Sequence, residues 1–391
     1  MKLSTRVQAI KPSPTLAVTA RAAQLKASGE SVIGLGAGEP DFDTPDHIKK
    51  AAIEAIKKGQ TKYTPVDGTK ELKEAIIKKF EEDNKLKYSL DQVLVSVGGK
   101  QSFYNLAQAL LNPNDEVIIT APYWVSYPDM VLLAGANPVL IQTDREQFFK
   151  ITSAQLRGAI TQQTKMIVIN SPSNPTGIAY SKEELESIGE VLREHPKLII
   201  ATDDIYEHIL WEPDSFVNIV NVCPDLLDRT IVLNGVSKAY SMTGWRIGYS
   251  AGPENLIKAM KKIQSQSTSN PTSISQAAAL AALSGPQKCV KNMVKHFKER
   301  HDFMVEELNK LTGVQCLPTD GTFYVFPDIS GLIDSIDGVK NDLELAEFLI
   351  THAGVALVPG SAFGLNNYAR ISIATNMENL KEALSRIKNL L

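Results

Sequence analysis

Cysteine is scarce in this chain. Cys223, Cys289 and Cys316 are the three among 391 residues; they lie far apart and outside any CxxC pattern. An odd, scattered set of this kind argues against a disulfide framework and for reduced thiols, buried or inert, in a cytosolic compartment. The six histidines form no HxxxH or HxH pair, which leaves a metal site without support. Positive charge is not in excess: the net charge of −3 excludes a strongly basic nucleic-acid binder. No apolar run reaches membrane length, and Met1-Lys-Leu-Ser-Thr-Arg6 lacks the apolar stretch of a signal peptide. These absences point to a cytoplasmic protein with no nucleic-acid or membrane partner. Internal repeats and low-complexity segments are missing as well.

What is present is ordinary globular material, 43% hydrophobic and 22% charged, with 24 Gly and 20 Pro. The length allows two or three domains and a sizeable core. Residues 1–14, with Pro12 and Pro14, read as an arm, and Thr15–Ser28 as a helix followed by a short strand at 31–33. Gly34-Leu-Gly36-Ala-Gly38-Glu39-Pro40 is spaced G-x-G-x-G, with Pro40 where a helix would begin. That spacing does not fit a dinucleotide loop and argues against a Rossmann dehydrogenase; it suits a tight loop bringing backbone beside a ligand. Thr44-Pro45 predicts a helix with Thr44 as N-cap, and Thr69 opens a second helix.

From residue 91 the pattern alternates. Apolar strands are expected at 93–97, 116–120, 138–142, 165–169, 198–202 and 230–233, with helices at 102–111, 153–160 and 181–193 between them. Continuous apolar strands separated by helices predict a mostly parallel sheet covered on both faces. Residues 246–251 read as one more strand, and helices fill 254–312. The last third has strands near 322–327, 355–358 and 368–374 and helices near 342–352 and 376–390, an α+β pattern consistent with a smaller second domain.

The unusual residues stand at strand ends, where open α/β sheets gather their sites. Asn234-Gly-Val-Ser237-Lys238 follows the strand at 230–233, and Arg246 comes eight residues after Lys238. A Lys able to form an imine with an Arg near enough to hold a phosphate is what a pyridoxal phosphate (PLP) enzyme needs, although a lone loop Lys is ordinarily a surface charge. Gly98-Gly99 opens a helix after a strand and would offer amide groups to a phosphate. Asn170-Ser-Pro-Ser-Asn174-Pro-Thr-Gly177 is a rigid turn carrying two amide side chains. Asp203 ends an apolar strand, where a carboxylate needs either a structural Arg or a protonated ligand nitrogen.

Ser173-Asn174-Pro-Thr-Gly177, Asp203-x-x-Tyr206, Ser237-Lys238 and Arg246, in that order, resemble the fold-type I PLP enzymes, specifically the class I aminotransferases. Gly36-Ala-Gly-Glu-Pro-Asp-Phe42 and Tyr368-Ala-Arg370-Ile-Ser extend the resemblance over essentially the whole chain. Gly99-Lys100-Gln101, Pro122-Tyr-Trp124-Val-Ser-Tyr127 and Ser241-Met-Thr-Gly-Trp-Arg246 resemble the bacterial and plastid-type aspartate aminotransferase branch, some members of which also use prephenate.

The resemblance implies a fold-type I architecture: an N-terminal arm and part of the small domain at 1–44, a large PLP-binding domain at 45–295, and the small domain at 296–391. It implies that Lys238 binds PLP covalently and then carries a proton at the substrate Cα. Asp203 would pair with the pyridine nitrogen, Asn174 and Tyr206 with the phenolic oxygen, and Trp124 with the ring face. The amides of Gly99 and Lys100, with Ser237 and Arg246, would hold the phosphate, joined by Tyr63 from the partner subunit of a homodimer. Arg370 would fork onto the substrate α-carboxylate beside the Gly38 backbone. The arginine that enteric-type members place five residues before Asn270-Pro271 is replaced here by Ser265, so Lys100, helped by Thr15, would take the distal carboxylate. The implied reaction is amino transfer from aspartate to 2-oxoglutarate, with prephenate or an aromatic substrate as the alternative on the same scaffold. Cis peptides are implied at Ala121-Pro122 and Asn174-Pro175.

Overall fold

The computed structural model describes residues 1–212 and 215–390. Its strands, in chain order, are β1 (Ile33–Gly34), β2 (Val93–Ser96), β3 (Glu116–Ala121), β4 (Asn137–Gln142), β5 (Thr164–Asn170) and β6 (Ile199–Asp203). They continue with β7 (Thr230–Gly235), β8 (Gly248–Ala251), β9 (Tyr324–Val325), β10 (Val355–Ala356), β11 (Val358–Pro359) and β12 (Ala369–Ser372). Seven of them form the main sheet in the order β2-β8-β7-β6-β5-β3-β4. Every neighbouring pair that excludes β8 is parallel, whereas β8 runs antiparallel to both β2 and β7. The strand interiors are buried, as expected for a sheet with helices on both faces.

Two apolar clusters, one built around Ile76, Phe80, Ile118, Ile167 and Val232 and the other around Phe103, Leu106, Val117, Val168 and Leu233, flank this sheet. A third, around Phe297, Phe323, Leu345, Val355 and Leu380, belongs to the C-terminal elements and takes in Ile33 and Leu35 from the N-terminal side. There β11, β12 and β9 form an antiparallel sheet, and β1 pairs in parallel with β10. Both chain ends therefore meet in the smaller α+β unit, and the α/β expectation holds for the main sheet.

Several elements differ from the sequence reading. The expected arm contains a short helix, Thr5–Ala9, capped by Ser4 and burying no residue of its own. The helix after Gly98 begins at Gly99 rather than Ser102, because Gly98 at φ +82° supplies an N-cap conformation a side chain would resist. Thr44 does not cap the following helix. Pro45 occupies that position, and the Thr44 hydroxyl donates instead to the Ser241 carbonyl at 2.7 Å. Strand β8 begins at Gly248, since Arg246 is left-handed at φ 56° and turns the chain before the ladder starts. Ala121-Pro122 and Asn174-Pro175 are cis as expected, and Ser171-Pro172 is cis in addition. Cys223 and Cys316 are buried, Cys289 is partly exposed, and all three are free.

Candidate active site

The parallel strands β2, β3, β5, β6 and β7 all deliver their C-terminal ends to one edge of the sheet. Because β8 is reversed, its beginning lies at the same edge, where Gly235 pairs with Gly248 and Ser96 with Gly248. Asn170 pairs with Asp203 at adjacent strand ends, and Asp203 with Leu233. Topology alone thus gathers Gly99, Trp124, Asn174, Asp203, Lys238 and Arg246 around one opening. The cavity there has a volume of about 420 Å³. Gly38, Tyr206, Ser237, Lys100, Arg370 and Thr15 also line it, so every candidate residue except Tyr63 faces this space. Tyr63 is 91% exposed and stands outside its own chain's cavity.

Lys238 projects from the turn after β7, and its Nζ donates to the Gly38 carbonyl. The rings of Tyr206 and Phe323 flank the amine, each centroid 5.7 Å away. Burial and then the positive charges of Arg370 and Arg246 bring its pKa down to about 8, against the opposing pull of Glu39 and Asp203. The amine is therefore far more often neutral than a surface lysine.

Asp203 accepts from the Tyr127 hydroxyl at 2.5 Å through Oδ2 and from the Ile205 amide at 3.3 Å through Oδ1. Burial pushes its pKa up, outweighing those two donors. A carboxylate held this way among neutral donors favours a cationic N–H partner from the cavity. Asn170 fixes the neighbouring turn: its amide donates to the Asp203 carbonyl at 2.9 Å and its oxygen accepts from the Asn174 amide at 2.9 Å.

Arg370 is 2% exposed, yet its Nε has no hydrogen-bond partner. Its other nitrogens donate to Asn174 Oδ1 at 3.0 Å and to the Gly36 carbonyl at 2.8 Å. The guanidinium is stacked between Tyr324, 4.4 Å from the ring centroid, and Phe363, at 5.0 Å. A clamped, partly unpaired guanidinium is a site for a planar anion such as a carboxylate.

At the other end, Gly99 begins a twelve-residue helix with open space where a side chain would stand. A Cβ on Gly98 would overlap the Arg246 guanidinium, which is anchored to the Thr243 carbonyl at 2.7 Å. The Gly99 helix end, Ser237 and Arg246 all line the cavity, and amides, a hydroxyl and a guanidinium are the donors an anion takes. Lys100 follows Gly99, its Nζ 5.3 Å from the Trp124 ring centroid. Burial and the neighbouring Arg246 lower its pKa.

Residues 30–387 match the family described as aminotransferase class I and II. The chain belongs to that family. It is 58% identical over 396 residues to the aspartate/prephenate aminotransferase of Nitrosomonas europaea, with 100% of each chain covered. It is 56% identical to the aspartate/prephenate aminotransferase of Cereibacter sphaeroides, covering 99% of this chain and 98% of the relative. Among solved structures, the aspartate aminotransferase of Rhizobium meliloti superposes with a TM-score of 0.95 at 48% identity, covering 99% of this chain and 98% of that one. The aspartate aminotransferase of Thermus thermophilus with maleate gives 0.94 at 44% identity, with 100% of both chains covered.

As a member of this PLP-dependent family, the aminotransferase has a donor set that fits the cofactor. The partly buried Asp203 suits a pyridinium nitrogen, the Gly99 helix end with Ser237 and Arg246 suits a phosphate, and the Lys238 amine lines the same cavity. Three residues around the site had no role assigned from sequence. Tyr127 holds Asp203, Asn170 ties Asp203 to the Asn174 turn, and Tyr324 supports both Arg370 and Tyr206. Tyr324 carries no local sequence signal, because Tyr206 is 118 residues away in the chain and Arg370 lies on a different strand.

Proposed function

We propose that this aminotransferase transfers the amino group of L-aspartate to 2-oxoglutarate in two half-reactions, giving oxaloacetate and L-glutamate. The observation that carries the reading is the pair of cations in one cavity: Arg370, buried with a free Nε, and Lys100 beyond Trp124. A substrate with two carboxylates can engage both, one at each end.

Bound PLP would supply an electron sink that makes the substrate Cα–H acidic. The chain's residues do the rest. Lys238 would anchor the cofactor and, as a free amine, its Nζ would carry a proton to and from the substrate Cα. Asp203 keeps a proton on the pyridine nitrogen, with Tyr127 holding its other oxygen. Tyr206 and Asn174 donate to the phenolic oxygen. Arg370 orients the α-carboxylate, leaving the Cα–H facing Lys238, while Gly38 contributes backbone. Ser237, Arg246 and the backbone amides of Gly99 and Lys100 would hold the phosphate, and Trp124 would cover the ring.

The assembly in this reading is a cytoplasmic homodimer in which Tyr63 of each subunit reaches the phosphate of the other. The exposure of Tyr63, together with half-exposed Ile53 and Ile56 on the neighbouring helix, supports an uncovered face there. Among the described residues no helix is long and apolar enough to cross a membrane. The large domain spans 45–295, and the small domain, 296–391 with the 1–44 segment, closes over bound dicarboxylate and excludes water. Comparing free and dicarboxylate-bound crystal structures checks this; an unchanged interdomain angle would refute the closure.

Prephenate as a further amino acceptor is favoured by the relatives at 58% and 56% identity, both named for it. A panel of aspartate, glutamate, prephenate, tyrosine and alanine tests the assignment. Turnover of tyrosine or alanine well above aspartate would overturn it.

A further inference from the structure

Tyr206 and Tyr324 are both buried, and their hydroxyls lie 3.0 Å apart. They come from different layers: Tyr206 from the turn after β6, Tyr324 from β9 of the small antiparallel sheet. The Tyr324 ring lies against Arg370, and its oxygen stands 3.2 Å from where a side chain on Gly38 would begin. One side chain therefore touches the cofactor tyrosine, the substrate arginine and the loop that receives the Lys238 amine.

We propose that Tyr324 is a positioning residue: its hydroxyl donates to Tyr206 Oη, aiming the Tyr206 proton into the cavity, while its ring holds Arg370. The inference rests on the reading in which Tyr206 donates to the phenolic oxygen of the cofactor. Each tyrosine hydroxyl has a single proton to give. A Tyr206 that spends it on the cofactor has none for Tyr324, so the bond between the two must run from Tyr324 to Tyr206. The Tyr324 hydroxyl has no other hydrogen bond among the described residues. The charged groups facing the pair are Arg370 on β12, Asp203 at the end of β6, Glu39 in the 36–40 loop and Lys238. Burial raises the pKa of both tyrosines, so both stay protonated donors at neutral pH. A hydroxyl that accepts one bond becomes a stronger donor in the next. Tyr324 thus strengthens the contact Tyr206 makes.

Tyr324→Phe keeps the ring and deletes the donor. In the holoenzyme, a donor to the phenolic oxygen stabilises the deprotonated chromophore, so its loss should raise the pH midpoint of the bound cofactor's visible absorbance by roughly 0.5 unit. Tyr206→Phe should raise it further, and adding Tyr324→Phe to that variant should have no additional effect. An unmoved or lowered midpoint in Tyr324→Phe, beside a raised one in Tyr206→Phe, overturns the inference and leaves the reading of Tyr206 standing. An unmoved midpoint in Tyr206→Phe overturns that reading and the inference with it. Binding of maleate separates the ring from the hydroxyl: its Kd should stay within about twofold in Tyr324→Phe and rise about fivefold in Tyr324→Leu, which loses the stacked face. Equal weakening in both variants would refute the division of labour.

Discussion

Lys238 should titrate near pH 8 in the cofactor-free protein, about where its pKa lies in the structure and well below the ordinary 10.5. At pH 7 about one amine in ten would then be neutral, against about one in 3,000 for an unperturbed lysine, a gain of roughly 300-fold in reactive base. The causes, in order, are burial and the Arg370 charge, with Arg246 adding to them. Reductive methylation with ¹³C-formaldehyde, which the cavity of about 420 Å³ admits, gives the midpoint by NMR when followed against pH. Lys238→Met identifies the resonance. Arg370→Leu removes the like charge that contributes most to the shift and should move the midpoint upward. The same shift has a signature in stability. The unfolded chain keeps this proton up to pH 10.5 and the folded chain only to about 8, so between those values the unfolded state binds more protons. Stability should therefore rise with pH across that window, by on the order of 3 kcal/mol. Below about 8 the cost of holding a buried ammonium is present in full. Lys238→Met should lack this rise. A midpoint at 10 or above, or one indifferent to Arg370, would refute the electrostatic account of the site.

Other outcomes follow from the same geometry. Asp203→Asn cannot hold a proton on a pyridine nitrogen and should lower kcat about 100-fold, the equivalent of one charged hydrogen bond, with cofactor affinity falling as well. Lys79→Met should be costly to stability although it lies outside the cavity. Lys79 and Glu207 are a buried ion pair, with Asn84 donating to Glu207 at 2.6 Å and Asn234 at 2.6 Å, and removing one partner strands the other. A loss of about 3–5 kcal/mol in urea unfolding is expected, and a loss under about 1 kcal/mol would count against it. Gly248→Ala would drive a Cβ into the Gly99 amide, backbone against backbone, beneath the candidate anion site. It should lower both melting temperature and cofactor retention, and a variant with unchanged retention would show that the site tolerates displacement.

The parts of the site legible from sequence were those written next to a strand end. Asp203, Lys238 and Gly99 each follow an apolar run within five residues, so recognising the strand located the residue, and parallel pairing then brought the strand ends to one edge. Arg246 was legible for a different reason: β8 is short and reversed, so a residue preceding it reaches the same edge. Thr44 was misread because local propensity favours a threonine cap, whereas its hydroxyl is claimed by Ser241 and Trp245 from two hundred residues away. Tyr324 and the Lys79–Glu207 pair were silent for the same reason, as contacts across elements leave no local pattern. Tyr63 was expected through family resemblance alone, and within one chain that expectation has no physical expression.

The two ends of the cavity differ in rigidity, and this bears on which substrates the enzyme accepts. Arg370 is buried, stacked between Tyr324 and Phe363 and bonded to Asn174 and Gly36, so its guanidinium has one available geometry. Lys100 is only partly desolvated, carries its charge on a flexible stem and meets the Trp124 face. A rigid fork fixes the α-carboxylate, which every substrate shares, while a mobile point charge accommodates distal carboxylates at different distances. That asymmetry would let a single site serve both aspartate and prephenate in the proposed reading, where a second arginine fork would select one spacing. Lys100→Arg should therefore change the ratio of the two kcat/KM values more than it changes their sum, and Lys100→Leu should depress both, by about tenfold if the pairing contributes what a partly exposed charged hydrogen bond does. Equal kcat/KM for both substrates in Lys100→Leu and the parent enzyme would place the recognition of the distal carboxylate elsewhere, with Thr15 as the next residue to replace.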